Sequence, residues 1–343
     1  MNCSSGFRLF AVSLFGLSVL QLGLSALVWP TPNPAFAQGR SIESFIQATV
    51  SKDPQSGLYG LVRNQGQRFH EGMDLFGLQF DEKDEALDPI YSVLPGRVAY
   101  INRSEGKSGY GCYIVLLHGS GGLMFYSLYA HLQSVDPRIQ LGMELAEGAI
   151  IGRMGRTAGG YSIPKERAHL HFEIGLRYTQ QFQYWYDRQS FPSENWHGVW
   201  NGLNLFGIDP LDFYRSVRSG KCVDFSDYLK SLPIVLRMHV SYAGLPDFLR
   251  DNPSFILDRE LDHSSIAGWE LSFARFGVPI KWRALKQSEL DARAESIPVI
   301  IQAYPKIAER FLIEPALFEI DEGRFEPSRF LITKLEKLFI QRP

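Results

Sequence analysis

The feature that most constrains this chain is the segment of residues 168–174, which reads AHLHFEI. In an extended strand successive side chains point to opposite faces, so His169 and His171 share one face while the apolar residues between them face a core. Two imidazoles on one face of an apolar strand favour a divalent metal site, because neutral imidazole is a common metal ligand in proteins. The alternative is a pair of half-buried histidines that are satisfied by hydrogen bonds. Both interpretations require a β-sheet.

Composition places the chain among ordinary globular proteins. It has 343 residues, of which 45% are hydrophobic and 21% are charged, which is enough for two modest domains. The formal net charge is -2 at pH 7, and a balance of this kind does not indicate a nucleic-acid-binding protein. We therefore expect no nucleic-acid partner.

The N-terminus differs from the remainder of the chain. Residues 9–29 are almost continuously apolar, and a proline-rich stretch follows that ends in the small-x-small sequence Ala35-Phe36-Ala37. This pattern predicts a secretory signal peptide at residues 1–37 that is cleaved after Ala37. The protein would then be exported, to the periplasm or to the outside of the cell. The alternative is an uncleaved membrane anchor, because an apolar run of this length can span a bilayer.

Many short strands separated by glycine turns follow residue 57. Two strands flank the turn at Pro95-Gly96, and two more flank residues 119–122, the second of which ends at His131. Such spacing is typical of an antiparallel β-sandwich. We therefore predict a mainly β domain over residues 57–216, preceded by a short N-terminal segment at residues 38–56.

The chain changes character after Cys222, where we predict a small α+β accessory domain over residues 217–343. Hydrophobic periodicity and turn residues define its elements. The predicted elements are helices at residues 225–232, 246–250, 288–294 and 328–340, and a hairpin formed by residues 270–276 and 279–285. His239 and His263 are isolated in this region, and we assign no site to them.

Three further features have two interpretations each. Residues 175–200 are rich in aromatic side chains and form a long loop or hairpin, whose rings pack in the core or line a binding groove. The loop at residues 157–167 is glycine-rich and basic, and it borders a substrate or lies free on the surface. Cys112 and Cys222 would share an oxidising compartment, which permits a disulfide between them without establishing one.

A second group of candidate ligands lies upstream of the histidine strand. His70 and Asp74 are four residues apart, a spacing that puts both side chains on one face of a strand, and glycines around them disfavour a helix. With one histidine of the pair His169 and His171, they supply the ligand count of a catalytic zinc site. A zinc-bound water suits hydrolysis. The other histidine of the pair and His131 are candidates for the general base or for oxyanion stabilisation.

Three motifs in this order resemble the lysostaphin/LytM-type zinc endopeptidases of bacterial peptidoglycan. They are Phe69-His70-Glu71-Gly72-Met73-Asp74-Leu75, Tyr129-Ala130-His131-Leu132 and His169-Leu170-His171-Phe172-Glu173. The resemblance covers residues 57–214 and implies an open β-sandwich. It also implies that one zinc ion per chain is held by His70, Asp74 and His171. His131 and His169 would act on the activated water and on the tetrahedral intermediate, whereas His118 matches a structural His-Gly before a hairpin.

The resemblance implies an exported zinc metalloendopeptidase that hydrolyses the stem peptides or cross-bridges of peptidoglycan. A rival hypothesis is a non-catalytic activator or binding protein of the cell envelope on the same scaffold, but relatives of that type have lost ligands that are all present here. A zinc hydrolase of peptides outside the wall would share the same site. Residues 217–343 match no cell-wall-binding repeat, and we expect them to offer a surface for an envelope protein partner.

Overall fold

The computed structural model describes residues 27–258, 262–306, 317–321 and 323–340. Most of the apolar run of the predicted signal peptide, at residues 9–26, lies outside these described residues. Within the described part of the chain, no helix combines the length and the apolar character that crossing a bilayer would require. The α-helices are α1 (Phe182–Asp187), α2 (Pro210–Arg218), α3 (Phe225–Ser231), α4 (Asp247–Asp251) and α5 (Arg329–Leu338).

Antiparallel strands dominate the first part of the described chain, which confirms the predicted mainly β fold. The central sheet has the order β12-β11-β7-β6-β5-β9, and β3 also pairs with β11. Strands β4, β10 and β8 form a second small sheet, and β1 pairs with β2. The strands are β1 (Gly60–Arg63), β2 (Arg68–His70), β3 (Met73–Phe76), β4 (Pro89–Tyr91), β5 (Gly96–Asn102), β6 (Cys112–Ser120), β7 (Leu123–Leu132), β8 (Ser134–Val135), β9 (Glu144–Leu145), β10 (Ile150–Arg153), β11 (His169–Arg177) and β12 (Leu205–Gly207).

A four-stranded antiparallel sheet with the order β15-β14-β13-β16 organises the C-terminal part, and β17 pairs separately with β18. These strands are β13 (Leu236–Ser241), β14 (Gly268–Ala274), β15 (Val278–Leu285), β16 (Val299–Ala303), β17 (Phe318–Asp321) and β18 (Arg324–Pro327). The β14–β15 hairpin and the helices α3, α4 and α5 confirm the corresponding sequence predictions. The apolar core runs without interruption from the first part of the chain into this one.

The predicted helix at residues 288–294 is wrong. This stretch contains a 3₁₀ turn at Ala292–Glu295 instead. The side chain of Asp291 accepts a hydrogen bond from the backbone N–H of Arg293, so a local side-chain contact competes with helical hydrogen bonding. Leu290 and Ala294 are buried in a small satellite cluster, which anchors the turn.

The aromatic segment at residues 175–200 contains a helix that the loop or hairpin interpretation missed. β11 extends to Arg177, and α1 follows within the segment. Phe182, Trp185 and Tyr186 are buried against one another, so the core interpretation holds for these three rings. Their spacing of three and four residues is the helical pattern, although it covers less than two turns.

Strand β11 is central because three strands pair with it. Its N-terminal half pairs with β3 on one side and its C-terminal half pairs with β12 on that same side, while β7 occupies the other side. In the β3–β11 register Asp74 lies directly opposite His171. The absence of a side chain at Gly72 permits this close approach, because a Cβ atom there would lie 2.2 Å from the carbonyl oxygen of Phe172.

We predict that Gly72→Ala lowers the free energy of unfolding by about 1–3 kcal/mol, the usual range for overpacking, because the new methyl group forces β3 away from β11. Chemical denaturation followed by circular dichroism measures this change. Gly106→Ala is the matched control, because nothing lies within 4 Å of the added Cβ position. A Gly72→Ala protein as stable as the control would contradict the tight β3–β11 contact.

Candidate metal centre

Three of the predicted site residues converge between β2, β3 and β11. His70 Nε2 lies 3.0 Å from His171 Nδ1, and Asp74 Oδ1 lies 3.1 Å from the former and 3.0 Å from the latter. All three side chains are buried, and one donor atom from each lies within 4.8 Å of the others. Donors bound tetrahedrally at about 2.1 Å from one ion are about 3.4 Å apart. These residues therefore fit a single metal ion with little movement.

Hydrogen bonds outside this cluster orient its two imidazoles. His70 Nδ1 lies 2.7 Å from the carbonyl oxygen of Leu58, to which it donates, so its Nε2 lone pair is directed at the cluster. His171 Nε2 lies 3.0 Å from Glu173 Oε1, and the same logic directs His171 Nδ1 at the cluster. The ring nitrogens that face the cluster, His70 Nε2 and His171 Nδ1, are thus available as electron-pair donors to a cation.

Glu173 also contacts the candidate site, although the sequence analysis names it only as part of a motif. Its side chain is fully buried, and its two carboxylate oxygens accept hydrogen bonds from the hydroxyl groups of Tyr110 and Tyr126, the latter at 2.7 Å. The signal that identifies it is strand alternation, because residues 169, 171 and 173 share one face of β11. Glu173 therefore fixes the orientation of His171 from the side opposite the cluster.

The two remaining predicted residues lie beside the cluster. His169 Nε2 is 3.7 Å from Asp74 Oδ1, and the ring centroids of His131 and His169 are 4.9 Å apart. His131 Nδ1 donates to the carbonyl oxygen of Thr157 at 2.8 Å, and His169 Nδ1 donates to that of Arg167 at 2.7 Å. Each ring therefore keeps an Nε2 lone pair that can accept a proton.

The backbone at His131 is unusual for a side chain of its size. Its φ of 59° lies in the left-handed region, at the end of β7. A strand that continued regularly would send the next side chain to the opposite face. The strained conformation instead places the imidazole next to His169 and His171, and backbone outliers of this kind concentrate at functional sites.

Burial and neighbouring charges shift the pKa values of His131, His169 and His171 in different directions. Burial, with His169 and His171 close by, holds the pKa of His131 well below its ordinary value. Burial also lowers the pKa of His169, although the carboxylate of Asp74 opposes it. For His171, burial acts in the same direction, but hydrogen bonds to Asp74 and Glu173 prevail and raise its pKa to about 9. His131 and His169 are therefore neutral bases at pH 7, and a bound cation would replace the proton on His171.

Asp74 remains a carboxylate despite its burial. Burial alone would raise its pKa, but the electrostatic influence of the neighbouring imidazoles of His70 and His169, together with hydrogen bonds to the imidazoles, holds the pKa well below its usual value. Its second oxygen, Oδ2, forms an ion pair with the guanidinium group of Arg63. Oδ1 alone is left to face the cluster, which suits monodentate coordination.

A cleft of about 150 Å³ opens over these side chains. Residues 161–163 and Arg167 line it together with Arg63, Asp74 and two histidines, so the loop at residues 157–167 borders the site and is not a free surface loop. His118 lies outside the cleft. Its Nδ1 and Nε2 atoms are each 2.8 Å from a partner, the carbonyl oxygen of Pro95 and the hydroxyl of Ser127, which agrees with a structural role.

The other candidate groups are separate from this site. Cys112 and Cys222 are both buried free thiols, so they form no disulfide with each other. His239 lies in β13, where its Nδ1 accepts a hydrogen bond from the backbone of Asp291. His263 is exposed in a 3₁₀ turn.

Comparison with known proteins adds a family match that covers the three motifs. Residues 68–183 match the family model described as Peptidase family M23. No curated protein matches the chain. Among solved structures, the chain is similar to a mutant catalytic domain of the prophage-encoded M23 protein EnpA from Enterococcus faecalis, at 19% identity over 45% of this chain and 88% of that one, with a TM-score of 0.29.

A second similar structure is the catalytic domain of the antimicrobial peptidase lysostaphin from Staphylococcus simulans. The identity is 22% over 47% of this chain and 88% of that one, and the TM-score is 0.29.

We predict that Glu173→Gln weakens zinc binding about 10–100-fold, the usual effect of removing a hydrogen-bond partner of a ligating histidine. The amide cannot accept from His171, Tyr110 and Tyr126 together, because its nitrogen is a donor. Competition with a zinc chelator measures the affinity. Tyr100→Phe is the control, since the Tyr100 hydroxyl bonds to His197 and not to Glu173. Equal affinities for Glu173→Gln and the control would exclude this orienting role.

Proposed function

From the match of residues 68–183 to the Peptidase family M23 model, we propose that the protein is a zinc metalloendopeptidase that hydrolyses peptide bonds in peptidoglycan. The observation that carries the proposal is the convergence of His70, Asp74 and His171, with two neutral imidazoles beside them. A metal-binding cluster flanked by proton acceptors is the arrangement that amide hydrolysis needs.

The proposed roles follow from which atoms face the cluster. His70 Nε2, Asp74 Oδ1 and His171 Nδ1 would hold one zinc ion. When bound, zinc lowers the pKa of a coordinated water and polarises a carbonyl. His169 lies on the Asp74 side of the cluster, and its free Nε2 accepts a proton from the attacking water. His131, next to it, would accept a hydrogen bond from the same water through its own free Nε2 and share in taking up its proton, and this imidazole pair would then pass the proton to the leaving amine.

The substrates proposed are the stem peptides or cross-bridges of the bacterial wall, which are the substrates that the resemblance implies. Export to the periplasm or to the cell-wall exterior is the matching location, and the apolar N-terminus supports it. A surface for an envelope protein partner in residues 217–343 remains a prediction.

We predict that His70→Ala and Asp74→Ala each abolish both zinc binding and hydrolysis, because two donors cannot hold the ion in a buried site. His131→Ala keeps zinc but loses about 100- to 10,000-fold in rate, the usual contribution of general acid–base catalysis. Elemental analysis gives zinc per chain, and mass spectrometry of fragments from purified sacculi gives the rate and the bond cleaved. His263→Ala, which changes an exposed histidine that belongs to neither the cluster nor the cleft lining, is the control.

Two outcomes contradict the proposal in different ways. Full activity of Asp74→Ala would show that the cluster is not the catalytic centre. Wild-type protein that binds zinc but releases nothing from sacculi, while stimulating another wall hydrolase, would establish the non-catalytic activator instead. Cleavage of unrelated peptides with sacculi left intact would assign a substrate outside the wall.

A further inference from the structure

We propose that Arg63 and Arg167 form a subsite for a free carboxylate of the substrate, adjacent to the bond that is cleaved. This inference rests on the proposed peptidase function and specifies the substrate class of the same site. The subsite would favour a peptide that has an ionised carboxylate beside the scissile amide over an uncharged glycine bridge.

The first observation is how Arg63 reaches the cleft. The β1–β2 pairing contains a register shift between Leu61 and Arg63, and the following turn has three consecutive residues with positive φ, Asn64, Gln65 and Gly66. A bulge of this kind re-aims a side chain. Arg63 consequently lies over the cluster of His70, Asp74 and His171, and its side chain is 21% exposed.

The hydrogen bonds of Arg63 use only part of its donor capacity. One Nη2 donor pairs with Asp74, and Nε donates to the carbonyl oxygen of Ser56 at 3.3 Å. Nη1 contacts no acceptor among the described residues. Because a guanidinium group carries five N–H donors, an edge of Arg63 remains open toward the cleft.

The second observation is the contrast between Arg167 and the other basic residues of its loop. Arg156 and Lys165 both form ion pairs with Glu85, at 3.0 Å and 3.1 Å. The Arg167 side chain lines the cleft and forms no ion pair or hydrogen bond with any residue in the described ranges. Two cations of the loop are thus paired with Glu85, whereas Arg167, beside the cluster of His70, Asp74 and His171, remains available.

The charge balance of the cleft favours an anionic ligand. Asp74 is the sole carboxylate in its lining, and it already serves the cluster and Arg63. Two guanidinium groups therefore face the cleft without a free counter-charge, and a bound zinc ion would add to the positive potential. Guanidinium groups bind carboxylates through paired, charge-assisted hydrogen bonds that are stronger than neutral ones.

The size of the cleft limits what accompanies the carboxylate. The cleft is small, at about 150 Å³, so the proposed subsite takes the scissile amide and one carboxylate while the remainder of the peptide lies outside it. Tyr161, which is 54% exposed, lines the cleft on its solvent side, where the remainder of the peptide would leave.

The test compares two synthetic stem peptides that differ only in a free carboxylate or a carboxamide next to the scissile bond. For zinc-loaded wild type we expect kcat/KM to be at least about tenfold higher for the free acid, since a hydrogen bond to a charged group contributes about 1.5–3 kcal/mol. Arg167→Gln should reduce this ratio toward one, mainly by raising KM for the free acid. Arg167→Lys keeps part of the preference, and Arg138→Gln, which alters an exposed arginine paired with Asp136, keeps all of it.

The outcomes separate the subsite from the proposed function. A wild type without preference, or an Arg167→Gln variant that slows both peptides equally, would overturn the subsite while the peptidase proposal stands. If wild type cleaves neither peptide, the peptidase proposal fails, and calorimetric binding of the two peptides then decides the subsite. Equal affinities for the free acid and the carboxamide would overturn it.

A separate observation concerns the N-terminal segment. We infer that residues 28–36 are a structural part of the mature protein, so that any processing of the exported chain occurs before Leu27. The ring of Trp29 stacks on Phe36 with centroids 4.5 Å apart, and it meets Tyr214 edge-on at 4.9 Å. Ala35 is only 5% exposed.

Backbone hydrogen bonds bind the same segment to the β domain. Val28 N–H donates to the carbonyl oxygen of Val93 at 2.9 Å, and the carbonyl oxygen of Pro30 accepts from Tyr91 N–H at 3.0 Å. The hydroxyl of Tyr214 donates to the carbonyl oxygen of Val28. Cleavage after Ala37 would remove these partners and expose the apolar surface that they cover, which disfavours that position as the mature N-terminus.

Intact mass of the full chain after export from a bacterial host tests this inference, and we expect a mature chain that still contains Trp29. Thermal unfolding supplies a second measurement, in which Trp29→Ala lowers the melting temperature by several degrees. Trp196→Ala, at a tryptophan that is 50% exposed, is the control. A mature chain that begins at Gln38 would overturn the inference, as would a Trp29→Ala protein with the stability of the control.

Discussion

The pairing of β3 with β11 is the constraint on which the site depends. It places Asp74 directly opposite His171, and a shift of one residue would turn Asp74 to the other face of the sheet. Met73 and Leu75 alternate with Asp74 and are buried in the apolar core, which fixes that register. The packing that folds the sheet and the geometry that gathers the donors are therefore the same interaction.

Burial of the cluster creates an electrostatic requirement that the surrounding residues meet. Asp74 and Glu173 are two buried carboxylates, and buried charges are stable only when they are paired and hydrogen-bonded. Arg63 pairs with the first, and two tyrosine hydroxyl groups donate to the second. His171 lies between the carboxylates and contacts both. A cation at this point completes the pairing, so the negative charge that orients the imidazoles also favours a metal.

Sequence reasoning identified the parts of the site that depend on the two-residue period of a strand. The candidate ligand set and the neighbouring histidines follow from alternation and from the three motifs, and the same alternation would have identified the contact of Glu173 with His171 as well. The position of Arg63 at the site could not be predicted from the sequence, because it depends on a bulge and on three successive residues with positive φ. The helix α1 was missed because six residues show too little of a helical period to distinguish it from a loop.

The C-terminal part is coupled to the site through β11 rather than being a separate attachment. His169 and His171 lie at the N-terminal end of this strand, whereas Arg177 at its other end pairs with Asp251 at 2.7 Å. The hydroxyl of Tyr178, next along the chain, accepts a hydrogen bond from the buried Lys334 of α5 at 2.6 Å. Because the apolar core is continuous across both parts, the strand that carries the histidines is held at its far end by residues beyond 217. The C-terminal part therefore helps to hold the candidate metal centre in place.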